Sequence, residues 1–77
     1  MNYPLVELEW VDSATLAGWR AVSTEHPVVS CFTAGYLVSE HDDRYVVAAA
    51  IDGEGECASV MVIPKVAVTK FTVLRES

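Results

Sequence analysis

Few residues in this chain have the means to do chemistry: two cysteines, two histidines and carboxylates gathered in turns. Cys31 and Cys57 lack the short Cys-x-x-Cys spacing of a zinc knuckle or redox pair and sit inside apolar runs, so they read as buried free thiols packing like small apolar side chains. His26 precedes Pro27 in a loop. His41 stands in the turn Glu40-His41-Asp42-Asp43, where flanking carboxylates could hold a metal weakly or bring its titration near neutral pH; a solvated turn histidine is the commoner case. A nucleophile set can be drawn from Cys31, His26 and Asp12. Nothing around Cys31 activates a thiolate, however, and a domain this small has little room for a lined pocket. A calcium loop needs a longer ladder of oxygens ending in a bidentate Glu, which neither Asp42-Asp43 nor Asp52, Glu54 and Glu56 supplies; these read as solvated charge that keeps neighbouring strands soluble. The inventory predicts no enzyme, no cofactor and no metal site.

The elements that would carry any site are strands. The runs Val28 to Ser39, Arg44 to Ile51, Cys57 to Ile63 and Val68 to Leu74 are each bounded by a turn signal. The junctions Asp52-Gly53-Glu54-Gly55-Glu56 and Pro64-Lys65-Val66-Ala67 are too short for a crossover helix, so consecutive strands must run antiparallel. Upstream, Leu5 to Val11 alternates, with Val6, Leu8 and Trp10 on one face and Glu7 and Glu9 on the other, the pattern of a half-buried strand. Asp12-Ser13 suits an N-cap, and Ala14-Thr15-Leu16-Ala17 is predicted to form one short helical turn stopped by Gly18. Trp19 to Pro27 reads as a short helix or irregular loop, with Pro27 restricting His26 to an extended conformation at the entry to the next strand.

Gly35 falls near the middle of the longest run. An interior glycine costs stability unless the backbone bends or passes close to another chain, so a sharply curved strand is expected there. The alanines Ala48, Ala49 and Ala50 allow close approach of a neighbouring element. Ser59 to Ile63 is nearly all apolar, which predicts burial on both faces. Trp10, Leu8, Val47, Val62, Ile63 and Phe71 are the expected core or interface residues.

Size and composition bound the answer. A chain of 77 residues reads as one domain, residues 1–77, near the lower limit at which a single core folds alone, so oligomerisation would help it. Its apolar fraction of 52% is high, with the excess in Val and Ala, as if one barrel could not hide it all. No run approaches the roughly 18 apolar residues of a membrane span, and Met1-Asn2-Tyr3-Pro4 followed by Glu7 and Glu9 does not read as a signal peptide. A cytoplasmic protein with no membrane partner is the expectation.

The ending Val62-Ile63-Pro64-Lys65-Val66-Ala67-Val68-Thr69-Lys70-Phe71 resembles the closure of SH3-like and Sm-like barrels, in which a one-turn 3₁₀ helix joins the last two strands. Gly35-Tyr36-Leu37-Val38 with Asp42 is similar to the other Sm motif, a bent strand with a mid-strand glycine followed by an acidic turn. The match covers roughly residues 28 to 74 and is one of pattern. It implies an all-β fold with one short helix, a strongly bent five-stranded antiparallel barrel, and a homo-oligomeric ring in which the fourth strand of one subunit pairs with the fifth of the next. The opening Val6-Glu7-Leu8-Glu9-Trp10-Val11-Asp12-Ser13 with Gly18-Trp19 also resembles short bacteriophage proteins, some of them Sm-like, which implies a viral origin.

The family also includes RNA binders, and here the chain departs from the pattern. Arg44-Tyr45 stands where Sm proteins usually place a base-holding asparagine, and only Lys65 is charged in the second motif. At a net charge of −6, phosphate binding would need a local basic patch working against the overall field. Lys65, Lys70 and Arg75 cluster in the closure and are the candidate phosphate contacts, with Tyr36 or Tyr45 as stacking platforms. Two functions stand open: a self-associating module that offers an acidic rim to a protein partner, and an Sm-like RNA binder with a locally basic pore or edge. The first fits the composition better.

Overall fold

A computed structural model describes residues 3–13, 18–23 and 27–77. Five strands form one antiparallel sheet: β1 (Leu5–Asp12), β2 (Val29–Glu40), β3 (Arg44–Ile51), β4 (Cys57–Pro64) and β5 (Val68–Arg75), with a 3₁₀ turn at Lys65–Ala67 between the last two. The expected all-β class is therefore observed, and each strand lies within a residue or so of its expected limits. The short helix expected at Ala14 to Ala17, like His26, lies outside the described residues. Residues 18–23 are irregular, and Trp19 and Val22 are fully exposed.

The strand order is β4-β3-β2-β1-β5, and every neighbouring pair is antiparallel. The expected barrel needs correcting in one respect: the sheet is bent but not closed, since β4 and β5 end the order at opposite edges with no ladder between them. It nevertheless curls far. In a flat sheet β3 and β5 would lie roughly 14 Å apart, three strand spacings, yet the rings of Tyr45 on β3 and Phe71 on β5 stack at 4.9 Å. Inside the hollow, Trp10 Nε1 donates to Thr33 Oγ1 on the neighbouring β2 at 3.0 Å, and Thr33 Oγ1 in turn reaches past β3 to the Met61 sulfur on β4 at 3.5 Å.

Alternation along β1 sets the inner face. Val6 and Leu8 are wholly buried, and with Val47 and Ile63 they form the core cluster, against which Trp10, Leu37, Tyr45, Val68 and Phe71 pack. Fully burying each of these aliphatic side chains is worth about 1.5–3 kcal/mol, so four of them make a small core for the chain to rest on. One expectation fails: of the apolar run Ser59 to Ile63, predicted buried on both faces, only Ile63 is buried, and Val62, expected in the core or an interface, is 55% exposed and lies outside the core. The reason is position: β4 is an edge strand, and within one chain nothing covers it beyond β3. Likewise the two thiols are free, but Cys57 at the start of β4 is exposed and Cys31 only partly buried.

The bend sits where the mid-strand glycine put it. A Cβ on Gly35 would lie 2.7 Å from the Ala48 carbonyl oxygen and 2.8 Å from Val47 Cγ1. β3 can thus cross β2 at this point only because Gly35 has no side chain. β2 adds a bulge at Val38, where its register to β3 shifts between Leu37 and Ser39, and pairing with β3 runs only from Ala48 back to Tyr45. Gly35→Ala is expected to destabilise the chain by about 1–3 kcal/mol, as overpacking against backbone does. Gly53→Ala, with nothing within 4 Å, should stay within about 0.5 kcal/mol of wild type. Urea titrations of the two variants check this, and equal midpoints would show that the crossing does not depend on Gly35.

Candidate functional site

The five residues expected to contact nucleic acid do not come together. Lys65, opening the 3₁₀ turn, donates from its backbone N–H to the Asp43 carbonyl at 2.8 Å, which ties the closure to the β2–β3 turn. Its ammonium then reaches the Glu40 carboxylate at 2.6 Å and lies 5.0 Å from the centre of the Tyr45 ring. The hydrogen bond that Lys65 donates to Glu40, with the carboxylate's charge behind it, raises the Lys65 pKa. Tyr45 is held in turn, stacked on Phe71 at 4.9 Å and 24°. Phe71, Tyr45, Lys65 and Glu40 therefore form one stack at the rim of the hollow, in which the cation is already neutralised and the ring already covered. Neither is poised for a phosphate or a base.

Tyr36, Lys70 and Arg75 lie elsewhere. Their register places them on the outer face of the sheet, opposite the core: Arg75, Leu5 and Tyr36 form one cross-strand row, and Lys70, Glu9 and Phe32 another. Phe32, 67% exposed, is a further aromatic of this face, outside the candidate contacts. It was legible in the alternation of β2, where Cys31, Thr33 and Gly35 turn inward and Phe32 and Tyr36 turn outward. Between the cations and the rings run Glu7 and Glu9 on β1, so the face is of mixed charge and not a cationic track.

The acidic turns have structural work. The Asp52 carboxylate accepts from the backbone N–H groups of Glu54 at 2.8 Å and Glu56 at 2.9 Å, and its own N–H donates to the Glu56 carbonyl. Those two backbone donors, Glu56 first, lower its pKa. Asp43 is lowered mainly by the hydrogen bond from Arg44 at 2.7 Å. His41 shares a 3.2 Å hydrogen bond with the Ser39 hydroxyl in an exposed turn. A dent by the β3–β4 turn, about 210 Å³, is lined by Ala50, Ile51, Asp52, Glu56, Cys57 and Ala58, with the Asp52 carboxylate turned to its own backbone. Among the described residues no three His, Cys, Asp or Glu side chains gather around a common point, and no helix is long and apolar enough to cross a membrane.

The two sheet edges expose apolar side chains: Val60 is 47%, Met61 42% and Val62 55% exposed along β4, and Val73 43% and Leu74 51% along β5, while Trp19, Val22, Phe32 and Val66 are exposed elsewhere. Both edges also leave backbone groups without a ladder partner. No family model, curated protein or solved structure matches the chain.

The depressed Asp52 pKa fixes a sign for acid behaviour. A carboxyl whose folded pKa lies below its unfolded value adds stability above that unfolded value, about 3.9, and loses it as pH falls through the folded one. Asp52→Asn should therefore lower the melting temperature at pH 7 and flatten its decline below about pH 4. Thermal melts from pH 7 to pH 2 test this; parallel curves for the two proteins would remove Asp52 from the account.

Proposed function

We propose that this chain is a non-catalytic assembly subunit of Sm-like fold, which joins copies of itself edge to edge into a closed ring and presents its acidic turns to a protein partner. The observation that carries the reading is β4, a strand with no charged residue, apolar on both faces, yet exposed everywhere except Ile63. Strands with that composition belong in sheet interiors, and single-chain proteins protect such edges with charge, proline or a covering loop. Only Pro64, at its last position, serves that end here. A second copy supplies the missing neighbour, and cyclic symmetry leaves no edge over.

The Sm-like assignment draws on the bent β2 with its glycine, the 3₁₀ turn before the last strand and the placing of β4 and β5 at opposite edges.

A second reading, single-stranded RNA on the outer face, is favoured by one observation: Tyr36, Lys70 and Arg75 share that face with exposed Phe32. Glu7 and Glu9 among them count against it. Mixed-sequence RNA at low salt separates the readings, because a shift abolished by Lys70→Ala with Arg75→Ala would favour the nucleic acid.

Val62 tests the assembly directly, since its side chain is exposed and outside the core. Wild type should sediment as one discrete oligomer at micromolar concentration. Val62→Lys should sediment as a monomer with the same β-sheet circular dichroism, since surface changes away from packed sites stay within about 0.5 kcal/mol of fold stability. A monomeric wild type at tens of micromolar would end the proposal.

A further inference from the structure

The two free edges are not uniform, and their irregularities match. On β4, Ser59 has φ of 56°, the left-handed region, and is the non-glycine residue with positive φ among those described. The register to β3 runs Ala48 to Val60 and then Ala50 to Ala58, so the pairing at Ser59 is interrupted without a residue being gained or lost. Pro64, which has no N–H, closes the other end. The regular part of the β4 edge is therefore Val60, Met61, Val62 and Ile63. On β5, register shifts against β1 fall between the partners of Glu9 and Trp10 and between those of Leu5 and Val6, which sets Thr69 and Leu74 out of the ladder. The regular part of that edge is Lys70, Phe71, Thr72 and Val73.

From this match we infer that the joint between copies is a short one, made by Val60–Ile63 of one subunit and Lys70–Val73 of the next, and that Ser59 is the residue that ends it. The inference rests on the ring reading above and adds its extent. Without the kink, the charge-free run from Cys57 to Ile63 would present one long flat apolar edge, which is the pattern that templates open-ended pairing. The left-handed Ser59 breaks the regularity of the edge, although Ala58 and Cys57 resume their ladder with β3 in the same register, and so confines the joint to four residues on each side. A joint of that length can close into a small ring, because it leaves the β3–β4 turn outside the ladder.

Serine tolerates this conformation poorly, a β-branched residue worse, and asparagine or glycine well. Ser59→Gly and Ser59→Asn should then keep the wild-type oligomer size. Ser59→Val should push the residue back to extended geometry, lengthen the pairing edge and broaden the sedimentation profile toward larger species. Backbone hydrogen exchange of the wild-type oligomer, compared with the Val62→Lys monomer, gives the second readout: newly protected amides should fall within 60–63 and 70–73. Protection extending through Cys57 to Ser59, or a Ser59→Val protein with wild-type size, would overturn the inference while leaving the ring intact. If Ser59→Val does not fold, the exchange footprint decides alone. A monomeric wild type would overturn the ring and this joint together.

Discussion

The structure depends on one close passage, the carbonyl of Ala48 over the bare Cα of Gly35. Everything else in the sheet follows from the bend it permits. With β3 drawn across the inner side of β2, Tyr45 arrives against Phe71, and Thr33 comes within reach of Met61, although the strands involved are not neighbours in the sheet. The same bend explains the connection between the last two strands. A three-residue 3₁₀ turn spans from β4 to β5, which end the order at opposite edges, only because the sheet has curled until those edges approach. Lys65 sits at that point and ties it down, through Asp43 by its backbone and through Glu40 by its side chain.

Curling without closing divides the polypeptide's needs in two. The inner face is satisfied within the chain: its aliphatic residues pack together, and among the described residues no buried side-chain nitrogen or oxygen lacks a partner. The edges are not satisfied. At this length a core can bury only about 60% of the unfolded surface, and part of the apolar remainder lies on β4 and the end of β5, the rest on residues such as Trp19, Val22, Phe32 and Val66. The proposed assembly would cover the share that lies on the edges. The two edges also differ in kind, β4 without charge and β5 bearing Lys70 and Arg75, so a head-to-tail joint brings unlike surfaces together.

How much of this was legible beforehand depended on the range of the interaction. Turn chemistry and alternation are local, and they placed all five strands, the inward set Val6, Leu8 and Trp10, and the tight connection from Pro64 to Ala67, whose 3₁₀ form the Sm-like resemblance implied. Gly35 announced the bend because an interior glycine is itself costly. What the sequence could not show was the pairing of residues far apart. Lys65 looked like a free cation because Glu40, 25 positions away, meets it only after the sheet curls. The all-apolar β4 looked buried because composition reports what a strand needs, and only the strand order reveals that a single chain leaves that need unmet. Ser59 carries no signal at all, since nothing in its neighbours asks for a left-handed backbone.

The fate of the basic residues narrows the kinds of partner the proposed assembly would suit. A cationic track for nucleic acid needs charges that are both free and aligned, and the folding of this chain acts against each condition. Lys65 is held by Glu40, and Arg44 by Asp43. Lys70 is aligned with Glu9 across β1. The acidic side keeps more of its charge to offer, because Asp42, Glu54 and Glu56 stand exposed in the turns at either end of β3, and Asp52 organises one of those turns with its own carboxylate. Copies joined through β4 and β5 would leave these turns outside the joint, so an assembly of this chain would repeat an acidic loop around its rim. A protein surface of opposite charge suits that pattern better than a phosphate backbone does.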